Sequence, residues 1–273
     1  MMTSINTNVG ALNARASAVR ATTKMEQAME RLSSGLRVNS ASDDAAGLAV
    51  AGKMESQLRG INMSIRNAQD GVGLIQTAES GVNEIRNMVL RMRELAVQMA
   101  NGIYEDTPDR NNAQLEVTAL INQVTLIAEN TRFNDVALLD GSFTTVIIQA
   151  GNTTAETIEL SFVDMASSGL SIDGVDIATQ SGATSAMGTL DSALETIASE
   201  QATMGSLINR LNFSISNQSK ASVMTEQAVG RIMDSDFATE TTNLSKQQIL
   251  NQAATSMLAQ ANQSKQSILA LLQ

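Results

Sequence analysis

The stretch MESQLRGINMSIRNAQDGVGLIQTAESGVNEIRNMVLRMRELAVQM, residues 54–99, carries a single unbroken pattern. Its apolar residues Met54, Leu58, Ile61, Ile65, Ala68, Val72, Ile75, Ala78, Val82, Ile85, Val89, Met92, Ala96 and Met99 step by fours and threes. Such spacing lays a narrow apolar seam along one face of an α-helix, here with one local phase shift at Ile75–Ala78–Val82. At ~1.5 Å per residue the predicted helix runs roughly 80 Å, far longer than a typical globular helix. Gly60, Gly71, Gly73 and Gly81 each cost it about 1 kcal/mol relative to Ala. Some of them are therefore expected to admit a close neighbour.

The same period recurs on both sides. Residues 1–35 read as a helix striped by Ile5, Val9, Leu12, Ala16, Val19, Met25, Met29 and Leu32, with Gly35 as its C-cap. Residues 36–43 are a polar linker. Ser42 is placed there to cap the next helix, with Asp43 and Asp44 near its positive end. That cap reading outweighs a metal site for the two carboxylates. Asn101-Gly102 ends the long helix. Thr107-Pro108 supply an N-cap and first residue for another, which carries Leu115, Leu120, Ile121, Val124 and Ile127 to about Asn130.

Between 133 and 165 the period changes. Residues 146–150 and 157–162 read as strands flanking the turn at 151–155, and Asp140-Gly141 marks a second turn. Residues 166–185, rich in Ser, Gly and Ala, read as a surface loop. Helix resumes near Met187 through Leu190, Leu194, Ile197, Gln201, Met204, Ile208, Leu211 and Ile215. It is predicted to break near Val229-Gly230-Arg231 and to return from about Asp236 or Thr242 through Leu250, Ala254, Met257, Ala261, Ile268 and Leu271. The order is nearly palindromic. The expected fold is mainly α, an elongated antiparallel helical bundle or coiled coil with a small β-hairpin tip.

Composition narrows the function. Hydrophobic residues make up 43% of the 273, but aromatics only 2%, with 15 Met and no Trp. That mixture suits thin helix–helix seams better than a thick globular interior. The net charge of −10 disfavours nucleic acid, whose phosphates need a basic surface, and gives no support for binding anionic membranes. No stretch is long and apolar enough to span a bilayer, and no signal peptide is visible. Export by a route that reads another signal stays compatible. With no Cys and no His, thiol chemistry, His-based acid–base catalysis and Cys/His zinc sites are excluded. An enzyme is not expected, and neither is a cofactor.

The two ends are unusual. Residues 1–14 carry no charge, and residues 251–273 carry one, Lys265, before Ile268-Leu269-Ala270-Leu271-Leu272-Gln273. Burying one Leu or Ile contributes roughly 1.5–3 kcal/mol, so such stripes call for a partner. They can pair with each other as an intramolecular coiled coil, and also with neighbouring copies of the chain. Stripes exposed on such a unit would make heterologous contacts, which build open helices.

The run Glu30-Arg31-Leu32-Ser33-Ser34-Gly35-Leu36-Arg37-Val38-Asn39-Ser40-Ala41-Ser42-Asp43-Asp44-Ala45-Ala46-Gly47-Leu48 closely resembles the N-terminal signature of bacterial flagellin. Arg231-Ile232-Met233-Asp234-Ser235-Asp236-Phe237-Ala238-Thr239-Glu240 and Leu258-Ala259-Gln260-Ala261-Asn262-Gln263 resemble the other end of that family. Arg93-Glu94-Leu95-Ala96-Val97-Gln98 and Ile148-Gln149-Ala150-Gly151 match within the chain.

The resemblance implies a structural subunit that polymerises into the flagellar filament. Residues 1–43 and 231–273 would pair as the inner core. Residues 44–230 would form the outer-core rod, with its hairpin region at about 133–165 and its loop at 166–185. The large outer domains of longer members are absent. The residues this nominates for inner-core assembly are Ile5, Val9, Leu12, Leu250, Met257, Leu258, Ala261, Ile268, Leu271 and Leu272. The implied partners are other copies, the type III export apparatus with its chaperone, the filament cap and the hook-junction proteins, in an extracellular location. Arg91, Leu95 and Glu116 fall where some flagellins contact host innate immune receptors. The alternative within the same axial system is a hook–filament junction component.

Overall fold

The computed structural model describes residues 7–143 and 145–270, without the side chains of Gln266, Ile268, Leu269 and Ala270. Among the described residues three helices, two small hairpins and two further helices follow in order: α1 (Val9–Ser34), α2 (Ala45–Met99), α3 (Asn111–Asn130), β1 (Arg132–Phe133), β2 (Val136–Ala137), β3 (Val146–Gln149), β4 (Thr157–Leu160), α4 (Gln180–Met233) and α5 (Phe237–Ala270). The chain divides into two compact units, Met1–Ser56 with Met224–Gln273, and Gln57–Val223.

In the second unit, the α2 seam is buried from Ile75 to Met99, as its spacing requires. Ile75, Ala78, Val82, Ile85, Val89 and Met92 are fully buried. They pack with Val117, Ile121, Val124 and Ala128 of α3 and with Leu190, Ile197, Met204 and Leu211 of α4 in one core. Leu115 does not join the α3 stripe; it is exposed. Polar pairs fix the register between helices. Arg93 meets Asp191, Gln201 donates to Asn83 at 2.7 Å, and Ser222 donates to Asn62 at 3.1 Å. Positions rising on α2 face positions falling on α4, so the two run antiparallel.

Both hairpins lie against these helices. β3 and β4 pair from Val146↔Leu160 to Gln149↔Thr157. Asn67 of α2 donates to the Gln149 carbonyl, and Ser214 of α4 to that of Ala150. The hairpin is thus seated along the helices and not at their Ala100–Gln180 end. The second hairpin, β1–β2, turns on Asn134 and Asp135, both with positive φ. That geometry suits a two-residue turn, and the sequence reading had not separated it.

Gly81 shows what a helical glycine does here. A Cβ there would lie 2.6 Å from Thr131 Oγ1 and 2.9 Å from Leu139 Cδ1. Gly81 therefore lets the segment after α3 press onto α2. Gly81→Ala is expected to lower stability by about 2 kcal/mol, read as a lower urea midpoint.

Further sequence expectations need correction. The start of α2 is capped by Asp44, whose Oδ1 accepts from the Gly47 N–H at 2.8 Å, and not by Ser42. Asp43 turns back instead to accept from the N–H groups of Asn39 and Ser40. Residues 166–185 are not a surface loop. Ala166, Leu170, Ile172, Val175, Ile177 and Ala183 are buried, and α4 already begins at Gln180. Nor does a break fall at 229–231: α4 runs through Gly230 to Met233, and Asp236 starts α5 by accepting from the Ala238 N–H. Finally, Thr107 does not cap α3. A wide turn, Asp106–Arg110, precedes that helix, and the Thr107 hydroxyl accepts from Asn111.

Two charged groups lie inside this unit. Arg110 is 3% exposed and closes the α2–α3 turn. Its guanidinium donates to the carbonyls of Met99, Asn101 and Tyr104 and to Asp106. Glu200 of α4 is 5% exposed, and its Oε1 has no hydrogen-bond partner. Burial raises the Glu200 pKa, against a smaller lowering by the Val163 N–H. The folded state therefore holds the proton to higher pH than the unfolded chain. Stability falls as pH rises between the unfolded value and the raised folded one. Glu200→Gln is expected to remove that slope and to raise the urea midpoint at neutral pH.

Candidate interaction surface on the paired terminal helices

The first unit is built on one helix pair. α1 and α5 approach closely along their length. Ala14, Ala21 and Ala28, seven residues apart, are buried in the seam with Ala254 opposite. Ala11, Ala18, Met25 and Leu32 of α1, and Leu244, Gln247, Asn251, Leu258 and Ala261 of α5, complete it half-buried. The steps are threes and fours, a heptad seam made mostly of alanine. Small side chains at the contact bring helix axes close.

Polar rungs set the antiparallel register. Asn8 caps α1 through the Ala11 N–H and donates to the Ala261 carbonyl at 3.1 Å. Asn251 donates to Thr22 at 2.7 Å. Arg31 pairs with the nearly buried Glu240 at 3.2 Å. Beyond Glu240, backbone bonds from Arg37 N–H to Met233 and from Ser235 N–H to Gly35 tie the two connections together. Gly35 sits there at φ +73, the left-handed cap that glycine adopts freely. Hydrogen bonds from Thr239 and from the Ala238 N–H hold the Asp236 carboxyl below its ordinary pKa.

An alanine seam leaves the larger apolar side chains outside. Val9, Leu12, Val19, Leu250 and Met257 are exposed, Leu12 at 54% and Met257 at 65%. Leu258 and Ala261 sit half-buried in the seam. The positions at Ile5, Leu271 and Leu272, and the side chain of Ile268, lie outside the described residues. Of the α1 stripe, Met25 and Leu32 meet α5, whereas Val9, Leu12 and Val19 do not: the alanines one or two positions away make that contact. Several large apolar residues exposed on one helix pair mark a surface built to be covered.

The other nominated residues lie in the second unit. Arg91 donates to Glu116 at 2.9 Å and to Glu94 at 3.2 Å on an exposed face. Leu95 is 4% exposed, inside the core. Among the described residues, no group of three or more acidic side chains is arranged to hold a metal ion. None of the described helices is long and apolar enough to cross a membrane.

Comparison with known proteins agrees across the chain. Residues 5–144 match the bacterial flagellin N-terminal helical region, and residues 187–272 match the bacterial flagellin C-terminal helical region. A flagellin of Halalkalibacterium halodurans is 40% identical over 272 residues, covering 98% of this chain and 99% of the relative. The flagellar filament 33 kDa core protein of Treponema phagedenis is 38% identical over 284 residues, covering 98% and 99%. The crystal structure of Bacillus cereus flagellin superposes with a TM-score of 0.51 at 30% identity, over 56% of this chain and 88% of that one. On these grounds the chain belongs to the bacterial flagellin family.

Proposed function

We propose that this chain polymerises into the flagellar filament through the outward faces of its α1–α5 pair. The observation that carries this reading is the inversion in that pair: alanines are buried between the helices while Val9, Leu12, Val19 and Met257 are exposed. A fibrous, structural role follows, and the membership of the family supports a filament subunit over a junction component. Residues 1–43 and 231–273 serve as the inner core and 44–230 as the outer core. The two compact units of the chain support that division. The filament lies outside the cell, so the chain passes through the flagellar export apparatus with its chaperone and assembles beneath the cap, onto the hook-junction proteins.

A second role, contact with host innate receptors, finds support in the exposed Arg91–Glu116 pair. Leu95 would then act from beneath it as a packing residue.

Electron microscopy of the chain after seeding tests the filament reading. The full chain is expected to form filaments, and a copy lacking residues 251–273 is not. Filaments from neither would point to a junction component that needs a different partner.

A further inference from the structure

Charge is segregated along the α1–α5 pair. Residues 1–25 and 241–273 contain no Asp or Glu, yet carry Arg15, Arg20, Lys24, Lys246 and Lys265 in a chain of net charge −10. Three of these cations share one groove. Arg20 and Lys24 of α1 and Lys246 of α5 line an opening of about 350 Å³ whose apolar wall includes Ala21 and Leu250. All three are exposed. No salt bridge joins any of them to an acid among the described residues.

The adjoining stretch of the same unit is the reverse. Between 26 and 44 and between 224 and 240 acids outnumber bases, and Glu26, Glu30, Asp234 and Asp236 are exposed. The groove at Arg20 and Lys24 lies about a dozen residues before the end of α1 at Ser34, where the acidic zone is centred, or about 20 Å along the pair. Two parallel copies side by side in register would set cationic groove beside cationic groove and the Asp234–Asp236 end beside its own copy. Copies offset by that distance would set each cationic groove against an acidic zone.

We propose that the groove of Arg20, Lys24 and Lys246 receives the acidic zone of a second copy, offset by about 20 Å along the α1–α5 axis. The proposal rests on the filament reading above and adds what selects the stagger. Apolar stripes slide; they hold copies together without choosing an offset. Complementary charge chooses it, and acts more on register and association rate than on affinity. Because the contact is heterologous, each copy offers its own acidic zone to the next and the series stays open.

The test is seeded elongation of the full chain at low salt, where surface charge is least screened. Lys24→Glu with Lys246→Glu, and separately Glu30→Lys with Asp234→Lys, are each expected to slow elongation on parental seeds about tenfold. The fourfold variant that combines both pairs is expected to fail on parental seeds but to polymerise with itself, which also shows that it folds. Parental rates for either paired variant, or no recovery in the fourfold variant, would overturn the proposal while leaving the filament reading intact. Failure of the parental chain itself to elongate would overturn both.

Discussion

Replacing Leu12 and Met257 together by Asp is expected to leave a folded helical monomer that no longer elongates filaments. Both side chains point away from the α1–α5 seam, at 54% and 65% exposure. Folding within the chain therefore loses little, and the urea midpoint of the monomer should match the parent. Assembly loses two buried apolar side chains at every contact, at roughly 1.5–3 kcal/mol each before the added penalty of burying carboxylates. Together that weakens association by about a hundredfold to ten-thousandfold. Sedimentation of seeded samples measures it. The same exchange at Ala21, which faces the seam, should instead unfold the helix pair, and the contrast separates the two faces.

Arg110→Ala is expected to be the most damaging single change in the second unit. The guanidinium is 3% exposed and satisfies three carbonyls where α2 ends and α3 begins, as well as pairing with Asp106. Its removal leaves the Met99, Asn101 and Tyr104 carbonyls without their donor inside a packed turn. A loss of about 3–4 kcal/mol is expected. Arg110→Lys should recover less than half of it, because a point charge cannot reach the same carbonyls as a planar fork. Urea denaturation followed by circular dichroism reads both variants.

The parts of the fold that were legible in the sequence are those where one side-chain class marks one face. Ile75, Val82, Ile85, Val89 and Met92 announce the α2 seam because bulky apolar residues recur at helical spacing among charged ones. The β3–β4 hairpin was equally plain, since Val146-Ile147-Ile148 and Ile158-Glu159-Leu160 flank a turn-rich run.

The residues of the α1–α5 seam were not legible because alanine carries little hydrophobic weight in a pattern search. Val9, Leu12 and Val19 outweigh Ala14 and Ala21 by size, yet the smaller residues set how close two backbones come. The large ones are left for a partner. A similar bias hid the core segment after β4, where Ser and Gly mask Ile172, Val175 and Ile177. Gly230 suggested a helix break, but the real one depends on Asp236 capping α5 and on Gly35 reaching Ser235 across the pair. Glu200 was missed for a simpler reason. Ile197, Glu200 and Met204 step by three and four, so its place in the seam was readable; its charge moved the reading to the neutral Gln201 beside it.

The claim at the centre of this account is that the exposed face of the α1–α5 pair becomes buried between copies. Because the chain has no cysteine, one introduced thiol reports on one position. The most direct measurement is the maleimide labelling rate of a Leu12→Cys chain, as monomer and as filament. Rapid labelling of the monomer with strong protection in the filament is the expected result. Equal rates in both states would contradict the account, since the filament would then be held together by some other surface.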